Sequence, residues 1–328
     1  MLETPITKLL EIAHPVLLAP MDIVADARLA AAVSAAGGLG ILGGGYGERA
    51  WLTRELDRLA ESRVRFGVGF ITWSLARQPE LLDLVIERRP AAVMLSFGDP
   101  RPFVEPVKRS GAKLVCQVQS VAMARDAAAA GADVIVAQGG EAGGHGVTRG
   151  VIALVPEIVD AVGPEIPVVA AGGIADGRGL AAALMLGASG VLLGTRFYAA
   201  AEAASAEAAR ERVRRASGDD TVRSIVFDIT RSNVWPAPFT GRCLRNAYVD
   251  RWYGREIELM QQQAEEGARY AAARAAGDFD TAAVIAGESA GLIRDIAPAS
   301  EIMKRIVREA AGLLGRAPAL VADASLAG

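Results

Sequence analysis

Apolar runs of strand length alternate with helical segments through the first two thirds of this 328-residue chain. The runs are His14–Met21, Leu39–Leu42, Arg65–Phe70, Ala91–Phe97, Lys113–Val118, Asp133–Gln138, Ile166–Ala171 and Gly190–Phe197. Each is continuously apolar rather than alternating, which is the pattern of a strand buried on both faces. Between them lie segments rich in Ala, Leu, Glu and Arg, such as Ala25–Ala36, Glu48–Glu61, Gln78–Arg89, Val121–Ala130 and Gly177–Leu186. Strand alternating with helix means βαβ units and a parallel sheet. Eight such units close into an α/β fold of the TIM-type (β/α)8 barrel class. An open doubly wound sheet is the alternative arrangement of the same units.

After Phe197 the alternation stops. Residues from about 200 to 298 read as an added C-terminal helical subdomain that covers the barrel mouth. The final helix, Pro298–Leu314, reads as a return to the barrel's outer ring. The expected division is therefore residues 1–199 with about 299–328 as the barrel, and about 200–298 as the covering subdomain. Arg210, Arg212, Arg214 and Arg215 are interleaved with Glu207 and Glu211, which makes a solvated helix face with i,i+4 pairs. Hydrophobic residues make up 52%, enough for a large core, and the net charge of −3 leaves no basic face for nucleic acid. Cys116 and Cys243 lie too far apart in sequence to suggest a disulfide framework. The N-terminus has no basic n-region followed by an apolar h-region. The longest uncharged stretch, between Arg178 and Arg196, is broken by glycines and is shorter than a membrane span. The expectation is a soluble, cytoplasmic protein acting on a small molecule, without nucleic-acid or membrane partners. No feature of the sequence bears on oligomeric state.

In a barrel the active site lies at the C-terminal ends of the strands, and polar and glycine residues gather there in this sequence. The first run ends in Ala19-Pro20-Met21 and the second in Gly43-Gly44-Gly45. The fifth ends in Gln117-Val118-Gln119. The sixth runs through Gln138 into Gly139-Gly140-Glu141-Ala142-Gly143-Gly144-His145. His145 is one of two histidines in the chain, and an imidazole exchanges protons near neutral pH. Glycine neighbours let the backbone approach a flat ligand closely. The seventh and eighth runs end in Gly172-Gly173 and Gly194-Thr195, where barrels hold phosphate on backbone N–H groups. Asp176 opens the following helix and reads as its cap. Glu141 reads as an acceptor for loop N–H groups.

Several other chemistries lack support. Gly38-Leu39-Gly40-Ile41-Leu42-Gly43 matches G-x-G-x-x-G, but it follows a helix and enters a strand, the reverse of a dinucleotide fingerprint. There is no P-loop and no G-x-S-x-G; Gly287-Glu288-Ser289-Ala290-Gly291 lacks the strand–turn–helix context of a serine hydrolase. Two histidines and two scattered cysteines make a dedicated metal site improbable, and none is expected.

The ordered set Ala19-Pro20-Met21, Gln138 to His145, Ala170 to Arg178 and Gly194 to Phe197 resembles the nitronate monooxygenase family, formerly the 2-nitropropane dioxygenases. The resemblance spans about residues 14–197. It implies a TIM-type barrel holding FMN, with the phosphate on Gly172, Gly173, Gly194 and Thr195. It implies that Ala19, Pro20, Met21 and Gly43 lie along the isoalloxazine, with Gly143 and Gly144 nearby. Gln117 and Gln138 become polar contacts to the ring, and His145 matches the catalytic histidine. The implied activity is oxidation of alkyl nitronates by O2 to a carbonyl compound and nitrite. Related barrels include NAD(P)H:quinone reductases and flavin-dependent enoyl-[acyl-carrier-protein] reductases, so NAD(P)H use stands as the alternative. A flavin-free phosphate-ester barrel is a third reading. The aromatic group around Trp235, together with Trp252 and Ser289, is expected to wall the substrate pocket; for Trp252, four residues after Tyr248 on one helix face, packing into the added region's own core is the alternative.

Overall fold

The apolar runs all form strands. In chain order the strands are β1 (Val16–Leu18), β2 (Gly40–Gly45), β3 (Phe66–Ile71), β4 (Ala92–Ser96), β5 (Lys113–Val118), β6 (Val134–Gln138), the short β7 (Gly144–Gly146), β8 (Val168–Ala171), β9 (Gly190–Leu193), β10 (Thr221–Ser224) and β11 (Thr240–Leu244). The computed structural model describes residues 2–320; residue 1 and residues 321–328 of the expected barrel unit lie outside the described residues. Eight strands pair in parallel in the order β1-β9-β8-β6-β5-β4-β3-β2. A parallel bridge between Leu17 and Leu39 joins the two ends and closes the ring. The fold is a (β/α)8 barrel, not an open sheet.

Closure explains why the runs are apolar throughout. On β4, Val93 and Leu95 face the surrounding helices while Ala92 and Met94 face the barrel interior. Leu17, Ile41, Val115, Val136 and Leu192 fill that interior from the other strands. The helix Pro5–Leu10 plugs the N-terminal end with Ile6 and Leu10, both fully buried. Each such side chain contributes about 1.5–3 kcal/mol by leaving water. Towards the C-terminal ends the inward positions change character. Ser96, Gln117 and Gln138, with Ala19 and Gly194 just past their strands, replace the aliphatic layer and form the floor of a cavity.

Residues 200–298 hold helices, the longest being Gln263–Ala276, but also two strands that the sequence reading did not anticipate. β10 and β11 pair antiparallel, and β11 pairs antiparallel with β7, so a three-stranded sheet ties this region to the loop after β6. The region has its own core of Val222, Phe227, Cys243, Tyr248, Trp252 and Tyr270. Trp252 was expected at the pocket and is not there. It is 1% exposed inside this core, with the guanidinium groups of Arg251 and Arg255 over its ring at 4.7 and 5.5 Å. Four residues after Tyr248 on one helix face, it packs where that face is buried. The last long helix, Ala299–Arg316, returns to the barrel and packs on the helix Gly177–Met185, where the Gly177 N–H donates to Glu309 at 2.8 Å. Among the described residues no helix is long and apolar enough to cross a membrane.

Replacing Trp252 by Ala should therefore act on stability alone. A loss of about 3–5 kcal/mol is expected from the cavity it leaves, read as a lower denaturation midpoint, while the ligand content of the folded fraction stays unchanged.

Candidate functional site

A cavity of about 420 Å3 opens at the C-terminal ends of the barrel strands, between the barrel and the region after β9. The first loop shapes one side. Pro20 lies on Gly69, where a Cβ would come within 2.3 Å of the proline Cβ. Ala19, Pro20 and Met21 all line the cavity. Gly43, expected beside them, does not. A Cβ at Gly43 would meet the Met21 carbonyl oxygen at 2.2 Å, so the first loop crosses directly over the end of β2. Gly43 is covered by that crossing, and Gly45 and Tyr46 take its place at the cavity wall.

The loops after β8 and β9, expected to hold an anion, form a cradle in the cavity wall. Gly172 and Gly173 have φ of 105° and 70°, a left-handed conformation that glycine adopts without strain. The N–H groups of Gly173, Gly194 and Thr195 donate to no backbone carbonyl among the described residues. Thr195 opens the turn Thr195–Tyr198, where the first N–H groups lack helical partners. Its hydroxyl accepts the Gly287 N–H at 2.9 Å, and this bond brings the buried Ser289 to the cavity from the segment after β11. Gly143 and Gly144 line the wall nearby. Asp176 is spent elsewhere, accepting from the N–H groups of Arg178 and Gly179 as the helix cap. Arg196, although buried, pairs with Asp295 at 3.1 Å. The cradle therefore consists of neutral N–H and hydroxyl groups.

His145 sits in the middle of β7, opposite Gly241 of β11. Its loop is tightly anchored. Gln138 accepts from Gln119 at 2.8 Å and from Gln117 at 3.2 Å, and donates to the His145 carbonyl at 3.0 Å. Arg223 and Arg242 both donate to the Gly140 carbonyl at 3.0 Å. Glu141 accepts the Val151 N–H at 2.9 Å, the loop-holding part expected of it. The imidazole Nε2 lies 2.9 and 3.1 Å from the two carboxylate oxygens of Asp228, and Arg231 holds one of those oxygens at 3.1 Å. Trp235 stacks on the imidazole with ring centroids 3.4 Å apart and planes 7° apart. The indole N–H donates to the Tyr46 hydroxyl at 3.0 Å, and Trp73 and Phe97 meet its ring edge-on.

These surroundings set the charge of His145. Burial pushes its pKa below the usual 6.5, against Asp228, which raises it; Arg231 and Arg223 push the same way as burial. The ring is neutral at pH 7 and can accept a proton. Cys243 also lines the cavity, but burial pushes its thiol up to about 12, which leaves it protonated and a poor nucleophile. Asp228 and Tyr46 carry no motif that singles them out in the sequence, and Gln119 and Phe97 are marked there only by their place at the ends of the apolar runs.

The chain is similar to known proteins over nearly its whole length. The family model described as "Nitronate monooxygenase" matches residues 3–68 and 70–309. The chain belongs to the nitronate monooxygenase family. A nitronate monooxygenase of Neurospora crassa is 38% identical over 90% of this chain and 89% of its own length. FabK from Thermotoga maritima superposes with a TM-score of 0.87 at 34% identity, covering 98% of this chain and all of that one. Nitroalkane oxidase from Streptomyces ansochromogenes gives 0.80 at 27% identity, covering 94% and 99%. This member of the family is a flavin-dependent oxidoreductase.

Gly194 offers a clean test of whether this cradle holds the flavin. Its φ is −101°, and an added Cβ would meet only Ala19 at 3.6 Å and Met21 at 3.9 Å. Gly194→Val should therefore fold normally by circular dichroism yet purify with little or no bound flavin absorbance, because the branched side chain fills the cavity rather than the core.

Proposed function

We propose that the protein oxidises alkyl nitronates with O2 to a carbonyl compound and nitrite, using FMN, and that His145 is its catalytic residue. The observation that carries this reading is a buried, neutral imidazole at the barrel mouth, in the same cavity as the N–H groups of Gly173, Gly194 and Thr195, which donate to no backbone carbonyl among the described residues. FMN fits the residues present. Gly172, Gly173, Gly194 and Thr195 would hold its phosphate, joined by the Ser289 hydroxyl, and Ala19, Pro20 and Met21 would lie along its ring. Gln117 has polar capacity left for the ring, whereas Gln138 is largely committed to the His145 loop. When bound, FMN supplies the electron acceptor that the nitronate requires.

The chain's own residues do the rest. His145 takes a proton from a neutral nitroalkane, a step that a preformed nitronate does not need. Trp235, Phe97 and Phe239 form an edge-to-face aromatic wall that keeps water from the reacting carbon. Trp235 both sets the size of that pocket and backs the histidine. The region from about 200 to 298 acts as the substrate-covering unit, since Asp228, Trp235 and Ser289 all come from it.

A second reading has a specific observation behind it. The chain is more similar to FabK than to the nitroalkane oxidase, both in identity and in superposition. NAD(P)H-dependent reduction of an enoyl thioester or a quinone on the same barrel is the alternative. Anaerobic mixing with NADH or NADPH separates the two: rapid bleaching of the flavin favours the reductase, and bleaching only by a nitronate favours the monooxygenase.

Heat-released cofactor should run as FMN on chromatography, and FAD would sink that part of the reading. Because burial holds the His145 pKa below 6.5, the acid limb of kcat/KM on neutral nitroalkanes should fall below pH 6.5. His145→Asn should abolish that activity while FMN stays bound. Full activity of the variant would remove His145 from the mechanism. Trp235→Ala should widen preference towards longer nitronates; unchanged preference would make the indole a backing group only.

A further inference from the structure

We infer that Asp228 is a positioning residue that holds the His145 imidazole as its Nε2–H tautomer, so that Nδ1 is the atom that receives the substrate's carbon-bound proton. The inference rests on the reading of His145 as the base, and goes beyond it by naming the reacting nitrogen and what selects it.

The geometry allows one assignment of the shared proton. Asp228 is buried and meets Nε2 with both carboxylate oxygens. A carboxylate only accepts, so a neutral imidazole facing it must present Nε2–H. Nδ1 is then the basic nitrogen. Among the described residues it has no hydrogen-bond partner, and it is not one of the buried polar atoms left without one. His145 lines the cavity, so that lone pair is open to a ligand there.

The carboxylate is itself fixed. Arg231 holds Oδ1 at 3.1 Å and anchors its own Nε on the Phe227 carbonyl at 2.9 Å. Trp235 fixes the plane of the ring by face stacking, while Asp228 fixes its rotation within that plane. Both residues lie between β10 and β11. The charged groups that act on the imidazole are Asp228 from the helix Val226–Thr230, Arg231 just after it and Arg223 from β10; Arg242 of β11 is tied to the Gly140 carbonyl and to Glu288.

The proton step is complete within these residues. The carbon–hydrogen bond next to the nitro group breaks, and the proton goes to Nδ1. The electron pair of that bond moves into the carbon–nitrogen bond, and the negative charge settles on the nitro oxygens. The imidazolium keeps Nε2–H against Asp228, so the positive charge forms beside a carboxylate already in place. A preformed nitronate needs no such step, and its oxidation should depend on Asp228 far less.

The test uses Asp228→Asn in the FMN-loaded protein, with Asp228→Glu beside it. Nitrogen-15 NMR of the imidazole should show Nε2–H in the parent and a mixture, or Nδ1–H, in the Asn variant. This readout needs no turnover, and the chain has only one other histidine, His14, to assign. Activity on nitroethane should fall by about 100-fold or more, the loss of the matching carboxylate in serine-protease triads reaching about 10,000-fold. Activity on ethyl nitronate should stay within about threefold, an order-of-magnitude expectation for a step that needs no proton transfer. Because Asp228 raises the His145 pKa, any residual acid limb should move to lower pH in the variant. Asp228→Glu should recover part of the nitroethane rate. An unchanged tautomer would overturn the inference. So would equal losses on both substrates together with a lower melting midpoint, since that pattern means the pair only pins the added region to the barrel. Failure of the underlying reading looks different: His145→Asn would then keep its activity whatever Asp228 does.

Discussion

The pairing of β7 with β11 is the interaction on which the site depends. β7 is three residues long, Gly144–Gly146, and could not hold a strand conformation alone. Its register places Gly241 opposite His145. The ladder turns a glycine-rich loop into a defined edge. Arg223 and Arg242 reinforce it from the two neighbouring strands by meeting at one carbonyl, that of Gly140. The barrel supplies the histidine, and the added region fixes where its ring points.

The cavity follows from the same economy of side chains. Aliphatic residues fill the barrel interior up to one level, and above it small and amide side chains take over. The shift leaves space that water would enter unless a ligand or an aromatic wall excluded it. Burial in that space lowers the histidine's pKa, and the nearby carboxylate opposes the shift without reversing it. An imidazole that is neutral at pH 7, with a carboxylate ready to face its charged form, is the result.

Much of this was legible in the residues. The eight strands could be read because closure buries both their faces, which demands continuous apolar runs. The strand-end glycines and His145 could be read because the barrel rule says where function gathers. The other parts had weaker signals. β10 and β11 are short and mix charged with apolar residues, since only Val222, Cys243 and Leu244 are buried in them. Asp228 looks like any acidic residue on a helix until Nε2 is seen facing it. Trp235 and Trp252 look alike in composition, and only the packing separates a cavity wall from a core. Gly43 looks like a ligand-facing glycine, but its missing side chain makes room for the backbone of Met21 instead.

The most direct check on how the site is built is a crystal structure of the FMN-loaded protein with a slow or unreactive nitroalkane in the cavity. The nitro-bearing carbon is expected about 3–3.5 Å from Nδ1 of His145, with Asp228 still on Nε2 and the flavin ring against Ala19, Pro20 and Met21. A carbon held against Nε2, with Asp228 swung away, or a ligand bound out of reach of His145, would contradict the assembly described.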